Sequence, residues 1–284
     1  MLSLFCALLF WFGAGDAAHR QGVELYKQQK YNEAIAVLEQ SSKTEAPDSA
    51  EYRESMLMIG QSYFMLSQAP KAIPWLEKAP SSNERNYMLG YAFLQAGDQD
   101  GSVRAFAELF GVDPKTAAAH LLAGQMLLKK EFTDRALDEV NKALAIDSKI
   151  PQAHFLLAEV AIFRGRLDEG VRELRKELAI DPNYYMAWYR LGDAYARQEH
   201  WDLAISNLQR AVWLNQNFSG PQILLGKCYF KTGDYSNAEK FLRGALKLDP
   251  HNYSATYLLG RTLFALGRTD EAKAMMEKSR TLQQ

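Results

Sequence analysis

Residues 186–215 decide the fold of this chain, and they read MAWYRLGDAYARQEHWDLAISNLQRAVWLN. In the first half of the segment, Leu191 and Tyr195 lie at helical spacing on one face, and Leu208 and Ala211 do the same in the second half. A short polar stretch separates the two halves. The segment is therefore predicted to form two amphipathic helices that pack as a hairpin.

Small residues in this segment matter as much as the large ones. Gly192 and Ala204 leave room for the backbones of the two helices to approach closely. One such hairpin cannot bury its apolar stripe alone, so it requires neighbours of the same shape.

The chain repeats this segment with a period of 34 residues. A first column of small residues occupies Gly90, Gly124, Ala158, Gly192, Gly226 and Gly260. A second column, 12 positions later, occupies Ser102, Ala136, Gly170, Ala204, Ala238 and Ala272. A third column of large residues occupies Phe106, Val140, Leu174, Leu208, Leu242 and Met276. Left-handed turns that end the first helices are predicted at Gly97, Gly165, Gly233 and Gly267. Three columns in one phase predict an array of helical hairpins.

This pattern resembles the tetratricopeptide repeat (TPR), whose period is 34 residues and whose signature runs W-x2-LG-x2-Y, A-x3-F, A and P. Residues 186–215 match this signature at Trp188, Leu191, Gly192, Tyr195, Ala204, Leu208 and Ala211. The resemblance implies an all-α, right-handed superhelical solenoid of TPR helix-turn-helix hairpins. It also implies that the first helix of each hairpin lines a concave groove in which ligands lie.

Eight such hairpins are predicted between residues 19 and 284. Their approximate bounds are 19–48, 53–82, 83–116, 117–150, 151–184, 185–218, 219–252 and 253–284. The first two are irregularly spaced, and Pro74 falls within the second helix of the second hairpin, where it removes a hydrogen bond. We therefore expect a shortened second hairpin with a local bend.

The composition excludes several classes of function. The formal net charge is -1, whereas a nucleic-acid surface or a polybasic membrane contact would show a basic excess. Cys6 and Cys228 are the only cysteines, so the sequence has no disulfide framework and lacks the cysteines of a four-ligand zinc site. The fold must therefore depend on packing.

The first 12 residues are almost entirely apolar and are followed by mostly small residues. Such a run is too short to span a bilayer and resembles a secretory signal peptide, although no Lys or Arg precedes it. Residues 1–18 are therefore predicted to be a signal peptide, which implies an exported protein (periplasmic, secreted or lumenal). The alternative is a hydrophobic first helix that packs on the first repeat of a cytoplasmic protein.

The TPR resemblance selects ligand-facing residues at fixed distances from the glycine column. The predicted partner-binding residues are Leu57, Phe64, Tyr87, Tyr91, Gln125, Phe155, Glu159, Phe163, Tyr189, Asp193, Arg197, Lys227, Phe230, Tyr257 and Arg261. The same spacing includes Met65, Lys129, Ile223 and Phe264. Many are large and apolar, which favours a peptide-binding groove with aromatic anchors if they face solvent. The alternative is that they pack between adjacent first helices.

Charge is sorted along this groove, with Glu159 and Asp193 in the middle. Lys227, Lys231 and Arg261 follow toward the C-terminus. The gradient favours a ligand whose acidic end lies on the basic side. The residues that directly follow the column glycines include no asparagine, which disfavours the carboxylate clamp of the chaperone-tail receptors in this family.

No residue outside the repeat pattern points to catalysis. His120 and His154 hold the same place in adjacent copies. A third metal ligand is missing, because the flanking copies carry Asn86 and Trp188 there. We therefore predict no catalytic residues, no metal, no cofactor and no small-molecule substrate.

The sequence thus predicts a non-enzymatic scaffold or adaptor that binds a protein or peptide in the groove and assembles a multiprotein complex, with no nucleic-acid partner. The alternative is a structural or oligomerising subunit of a cell-envelope assembly or secretion machinery that acts through the array ends. Arg280 occupies the column where a further repeat would stack, which indicates a capped array. Met275 and Leu282 leave apolar surface at this end, enough for a weak self-association.

Overall fold

Sixteen α-helices and their connecting turns make up residues 17–283, the part of the chain that the computed structural model describes. The described residues contain no β-strand, so the predicted all-α fold is confirmed. The helices are α1 (17–27), α2 (Tyr31–Ser41), α3 (Ala50–Met65), α4 (Ala69–Lys78), α5 (Asn83–Ala96), α6 (Gln99–Phe110), α7 (Ala117–Leu128), α8 (Thr133–Ile146), α9 (Ala153–Phe163), α10 (Leu167–Ile180), α11 (Tyr185–Arg197), α12 (Trp201–Leu214), α13 (Ser219–Lys231), α14 (Tyr235–Leu248), α15 (Tyr253–Ala265) and α16 (Thr269–Thr281).

Consecutive helices form hairpins in which an odd-numbered first helix is joined to an even-numbered second helix. The chain divides into two compact units, an N-terminal unit up to Ile146 and a C-terminal unit from Asp147. Within each unit, a second helix also packs on the next first helix, as α4 does on α5 and α12 on α13. Each unit is therefore a stack of four helical hairpins.

The small-residue column packs on the large-residue column that follows 16 positions later. At Gly192, an added Cβ atom would lie 2.6 Å from Cγ of Leu208 and 3.2 Å from the backbone oxygen of Ala204. Leu208 itself is fully buried. Glycine is required at this position because the second helix of the hairpin lies directly on its backbone.

The predicted turn glycines adopt the left-handed conformation. Their φ angles are 85° at Gly97, 77° at Gly165, 82° at Gly233 and 77° at Gly267. In the intervening repeats Glu131 and Glu199 hold the same place, with φ angles of 63° and 61°. The turn after the first helix is therefore conserved in shape along the array even where glycine is absent.

The helix that contains Pro74 is continuous. α4 has 10 residues and is the shortest of the described helices, whereas α3 has 16, so only the second helix of this hairpin is short. The hydrogen bond that Pro74 cannot donate would have ended on the carbonyl of Pro70, in the first turn of the helix. The loss is therefore confined to one end of α4 and does not interrupt it.

A buried carboxylate completes the start of α9. Glu177 of α10 is fully buried, and it accepts hydrogen bonds from the backbone nitrogens of Gln152 at 2.6 Å and Phe155 at 3.2 Å. Negative charge at a helix N-terminus is favourable, and the first N–H groups of a helix need acceptors. Glu177 therefore fixes the register of α10 against α9.

The predicted signal peptide lies almost wholly outside the described residues. Residues 17 and 18 are the first two positions of α1, and residues 1–16 are not described. Export of the protein stays a prediction.

Candidate functional site

The predicted partner-binding residues lie on the first helices of the hairpins. In the C-terminal unit, α13 contacts both α11 and α15, in addition to the contacts that each makes with its own second helix. Three first helices thus lie side by side. We call their shared exposed side, formed by α11, α13 and α15, the first-helix face.

Aromatic rings on first helices of the C-terminal unit are open to solvent. Phe264 on α15 is 67% exposed, and Tyr257 on the same helix is also exposed. Phe163, at the end of α9, is 90% exposed. Tyr189 of α11 and Phe230 of α13 are half-buried. A set of accessible rings of this kind is typical of surfaces that bind proteins.

Four exposed cationic side chains belong to the first-helix face, and they are Arg197, Lys227, Lys231 and Arg261. None has a carboxylate within 4.0 Å among the residues that the structure describes. Neither α13 nor α15 contains an Asp or Glu residue. Arg261 instead lies over the ring of Phe230, with Cζ 4.8 Å from the ring centre. The charge of these side chains is therefore available to a ligand.

The acidic residues of the predicted charge gradient are less available than the cations. Glu159 of α9 is bound by Arg190 of α11, with 2.7 Å between Oε2 and Nη2. Asp193 is half-buried and is the one acidic residue of α11. The free charge of the first-helix face is therefore positive, and it is concentrated on α13 and α15.

Two aromatic side chains outside the predicted partner-binding set cover rings of the first helices. Tyr184 packs edge-on against Phe155 with ring centres 5.0 Å apart, and Phe218 packs edge-on against Tyr189 at 4.9 Å. Tyr184 and Phe218 are themselves 34 residues apart, at the last position of their repeats. This recurrence is the signal by which the sequence could have shown the covering rings.

The predicted residues of the N-terminal unit are mostly part of its packing. Tyr87 on α5 is exposed. Leu57 and Phe64 on α3 are half-buried and pack against a core cluster that includes Leu76 and Leu89. Gln125 on α7 is also half-buried. This unit therefore offers a ligand fewer free side chains than the C-terminal unit.

The prediction that Tyr91 and Phe155 face a ligand is wrong, because the structure buries both rings. Tyr91 is 3% exposed, and its hydroxyl donates to the backbone oxygen of Met126 in α7 at 2.9 Å. Burial, together with the neighbouring Tyr87, raises the pKa of Tyr91 to about 12. Phe155 is buried against Tyr184. Both rings pack within the stack, as the alternative interpretation of the apolar stripe predicts.

Comparison with protein families assigns the architecture. Models of the tetratricopeptide repeat match residues 19–85, 87–151, 155–220 and 229–281. The chain belongs to the tetratricopeptide repeat family. The predicted family is confirmed, and the hairpins of both units are TPR hairpins.

Several solved structures resemble this protein over most of their own length. YrrB, described as a TPR protein with an unusual peptide-binding site, is 25% identical over 64% of this chain and 93% of its own, with a TM-score of 0.56. MamA is 23% identical over 60% of this chain and 93% of its own, with a TM-score of 0.55. PilF of Pseudomonas aeruginosa is 18% identical over 70% and 91%, with a TM-score of 0.56. The last two support the fold alone, and no curated protein sequence matches the chain.

Structural contacts account for the histidine and cysteine side chains that could serve in catalysis or metal binding. Nδ1 of His120 lies 2.6 Å from Glu139, and Nδ1 of His154 lies 2.7 Å from Glu173, so each histidine ties a first helix to its second helix. Within residues 17–283, no group of three or more His, Cys, Asp or Glu side chains could hold a metal ion. Burial raises the pKa of Cys228 to about 11, which keeps its thiol protonated at neutral pH. TPR proteins are generally non-catalytic scaffolds.

None of the helices within residues 17–283 has both the length and the apolar character needed to cross a bilayer.

Proposed function

We propose that this TPR protein binds an acidic segment of a partner protein on the first-helix face and so acts as a scaffold in a multiprotein complex. One observation carries the proposal. The three helices of this face present four exposed cations without carboxylate partners in the described part of the chain, and they contain a single acidic residue, Asp193. Such an excess on one face contrasts with the formal net charge of -1 for the whole chain.

The exposed rings would supply most of the affinity. Tyr257 and Phe264 are seven positions apart on α15, so they lie two helical turns apart on one side of that helix. Covering an exposed phenylalanine completely contributes about 1.5–3 kcal/mol. An apolar side chain of the partner that contacts Phe264 would therefore act as an anchor.

The cations would orient the ligand and speed its association. Lys227 and Lys231 are four positions apart on α13, so both reach the same side of the helix. A single exposed ion pair is worth about 0.2–1 kcal/mol, so no one lysine decides the affinity. Together the four cations favour acidic partners and disfavour basic ones.

Reversing the charge of α13 should abolish partner capture. The double variant Lys227→Glu/Lys231→Glu is expected to weaken binding at least about tenfold, because it replaces attraction by repulsion. Lys247→Glu is the matched control, since Lys247 is an exposed lysine on the second helix α14. Affinity capture from an extract of the source organism, followed by mass spectrometry, should recover the same partner with the native chain and with Lys247→Glu, and lose it with the double variant.

Full recovery of the partner by the double variant would refute the acidic-ligand proposal. If the native chain also sedimented as a dimer, that result would favour the alternative, a structural or oligomerising role through the array ends. A hollow of about 430 Å³ at the C-terminal end of the array, between α15 and α16, is lined by Phe264, Met276 and Arg280 and would be the surface for such a contact.

We also propose that the protein is exported, on the strength of the apolar residues 1–12 and the small residues that follow them. Edman sequencing of the protein isolated from its native cells should then begin between residues 16 and 19. A mature protein that retains Met1 would contradict export through a cleaved signal peptide.

A further inference from the structure

A second hollow lies on the other side of the C-terminal unit, away from the residues assigned above. It has a volume of about 340 Å³ and opens between the second helices α10 and α12, with α11 beneath. Its lining includes Arg175, Leu178, Trp188, Tyr195, Leu203 and Asn207. We propose that it is a second docking site, which receives one large apolar side chain from an acidic segment of a partner protein.

The two preceding hairpins fill the equivalent place with ion pairs. In the hairpin of α9 and α10, Glu173 lies 2.7 Å from His154 and 2.8 Å from Lys176. In the hairpin of α7 and α8, Glu139 makes the same contacts with the equivalent histidine and lysine, at 2.6 Å and 2.8 Å. In both hairpins the carboxylate therefore joins the second helix to the first across this space.

In the hairpin of α11 and α12 this bridge is replaced by Trp188 and Asn207, which hold the places of His154 and Glu173. The two side chains do not bond to each other. Asn207 turns back on its own helix and donates to the backbone oxygen of Leu203 at 2.6 Å, and Nε1 of Trp188 donates to the backbone oxygen of Pro182 at 2.9 Å. The polar groups are satisfied elsewhere, so the space between the helices stays open and its floor is apolar.

The rim of the hollow is also specific to this hairpin. Leu203 is 46% exposed there, whereas the equivalent residues of the neighbouring repeats are Arg135, Glu169, Asn237 and Glu271. One repeat further on, the place of Asn207 is taken by Phe241, which stacks on Tyr229 with ring centres 5.5 Å apart. Leu203 is thus the one apolar residue of its column in these five repeats, and it borders an open hollow.

The charged side chain in the lining of the hollow, Arg175, indicates the chemistry of the occupant. Arg175 on the rim donates to the hydroxyl of Tyr195 at 2.6 Å, and Arg210, one turn beyond Asn207, lies over the exposed ring of Trp213 at 4.2 Å. Neither arginine has a carboxylate within 4.0 Å among the described residues. Arginine and tryptophan side chains beside an apolar depression are enriched in interaction hot spots. Two guanidinium groups that lack a carboxylate partner within residues 17–283 favour Asp or Glu on either side of the inserted side chain.

The test uses a display library of random 12-residue peptides selected on the full chain. Enriched peptides are expected to carry one leucine- or phenylalanine-sized residue flanked by Asp or Glu. Their affinity should fall at least about tenfold for Leu203→Glu and for Arg175→Gln. Leu248→Glu is the matched control, because Leu248 is a leucine of a second helix with similar exposure, 40%, and should leave their binding unchanged.

A second variant guards against a folding defect. Asn207→Phe fills the hollow as Phe241 fills its counterpart, so it should block the peptides while the thermal unfolding temperature is unchanged or raised. The proposal fails if the enriched peptides bind Leu203→Glu and Asn207→Phe as tightly as the native chain, if they are neutral or basic, or if no peptide is enriched. Peptides that respond to Lys227→Glu/Lys231→Glu and not to Leu203→Glu would assign the binding to the first-helix face alone.

Discussion

Replacing Gly192 with leucine should destabilise the C-terminal unit by about 3 kcal/mol, because overpacking of a close helix contact costs this much. The new Cβ atom would lie 2.6 Å from Cγ of Leu208, which is fully buried and has no free space to turn into. It would also lie 3.2 Å from the backbone oxygen of Ala204, which can retreat only if α11 and α12 move apart. Urea unfolding followed by far-UV circular dichroism measures the loss.

Gly244→Ala is the matched control for this prediction. Gly244 is also in a helix interior, α14, but its added Cβ atom would meet only the side-chain end of Gln222, which can turn away. Alanine in a helix interior is about 0.5–1 kcal/mol more favourable than glycine, so this variant should be slightly stabilised. Equal unfolding midpoints for Gly192→Leu and the native chain would show that the helices do not meet at this column.

The fold could be predicted from the sequence because the contacts that form each hairpin recur with the period of the repeat. Gly192 and Leu208 belong to two columns that each recur every 34 residues, and the structure places them against each other. A contact between two periodic columns of one hairpin is made once per repeat. The hairpin architecture therefore follows from residues that the sequence displays several times.

The exposure of the ligand-facing residues could not be predicted in the same way. Phe155, Tyr189 and Tyr257 hold one position of three repeats, yet they are buried, half-buried and exposed in turn. Tyr184 covers Phe155 and Phe218 covers Tyr189, whereas Tyr257 stacks with Tyr253 of its own helix at 6.1 Å. The 34-residue period shows on which side of its helix a residue lies. The size of the neighbouring side chain decides whether solvent reaches that residue.

The pairing of charged side chains also could not be predicted from the repeat columns. Glu159 and Asp193 hold equivalent positions, and the sequence treats them as two equal acidic members of one gradient. The structure pairs Glu159 with Arg190, 31 residues later, and shows no such partner for Asp193 among the described residues. Pairing between helices depends on the rotamers of both side chains, which no repeat column encodes. The free cations of α13 and α15 could be predicted from the sequence because neither helix contains an acidic residue.

Replacing Glu139 with glutamine should lower the stability of the N-terminal unit by about 2–3 kcal/mol at pH 7 and make it less sensitive to acid, because hydrogen bonds to a buried charged group are worth this much. Glu139 is fully buried, and its carboxylate binds His120, Lys142 and Gln99. Burial alone raises the pKa of Glu139, but the hydrogen bonds from these three side chains outweigh burial and lower the pKa below its ordinary value of 4.5.

The sign of the pH dependence follows from that lowered pKa. The folded state binds the proton less readily than the unfolded state, so the contribution of Glu139 is complete above pH 4.5 and is lost as the pH falls through the folded pKa. The stability difference between the native chain and Glu139→Gln should therefore shrink as the pH falls below about 4.5. Urea unfolding at a series of pH values measures this difference. Glu277→Gln is the control, because Glu277 is exposed and pairs with Arg280 on the surface, where the pair is worth about 0–1 kcal/mol. If the difference for Glu139→Gln stays constant down to about pH 3, the three hydrogen bonds do not lower the pKa of Glu139 in the folded protein.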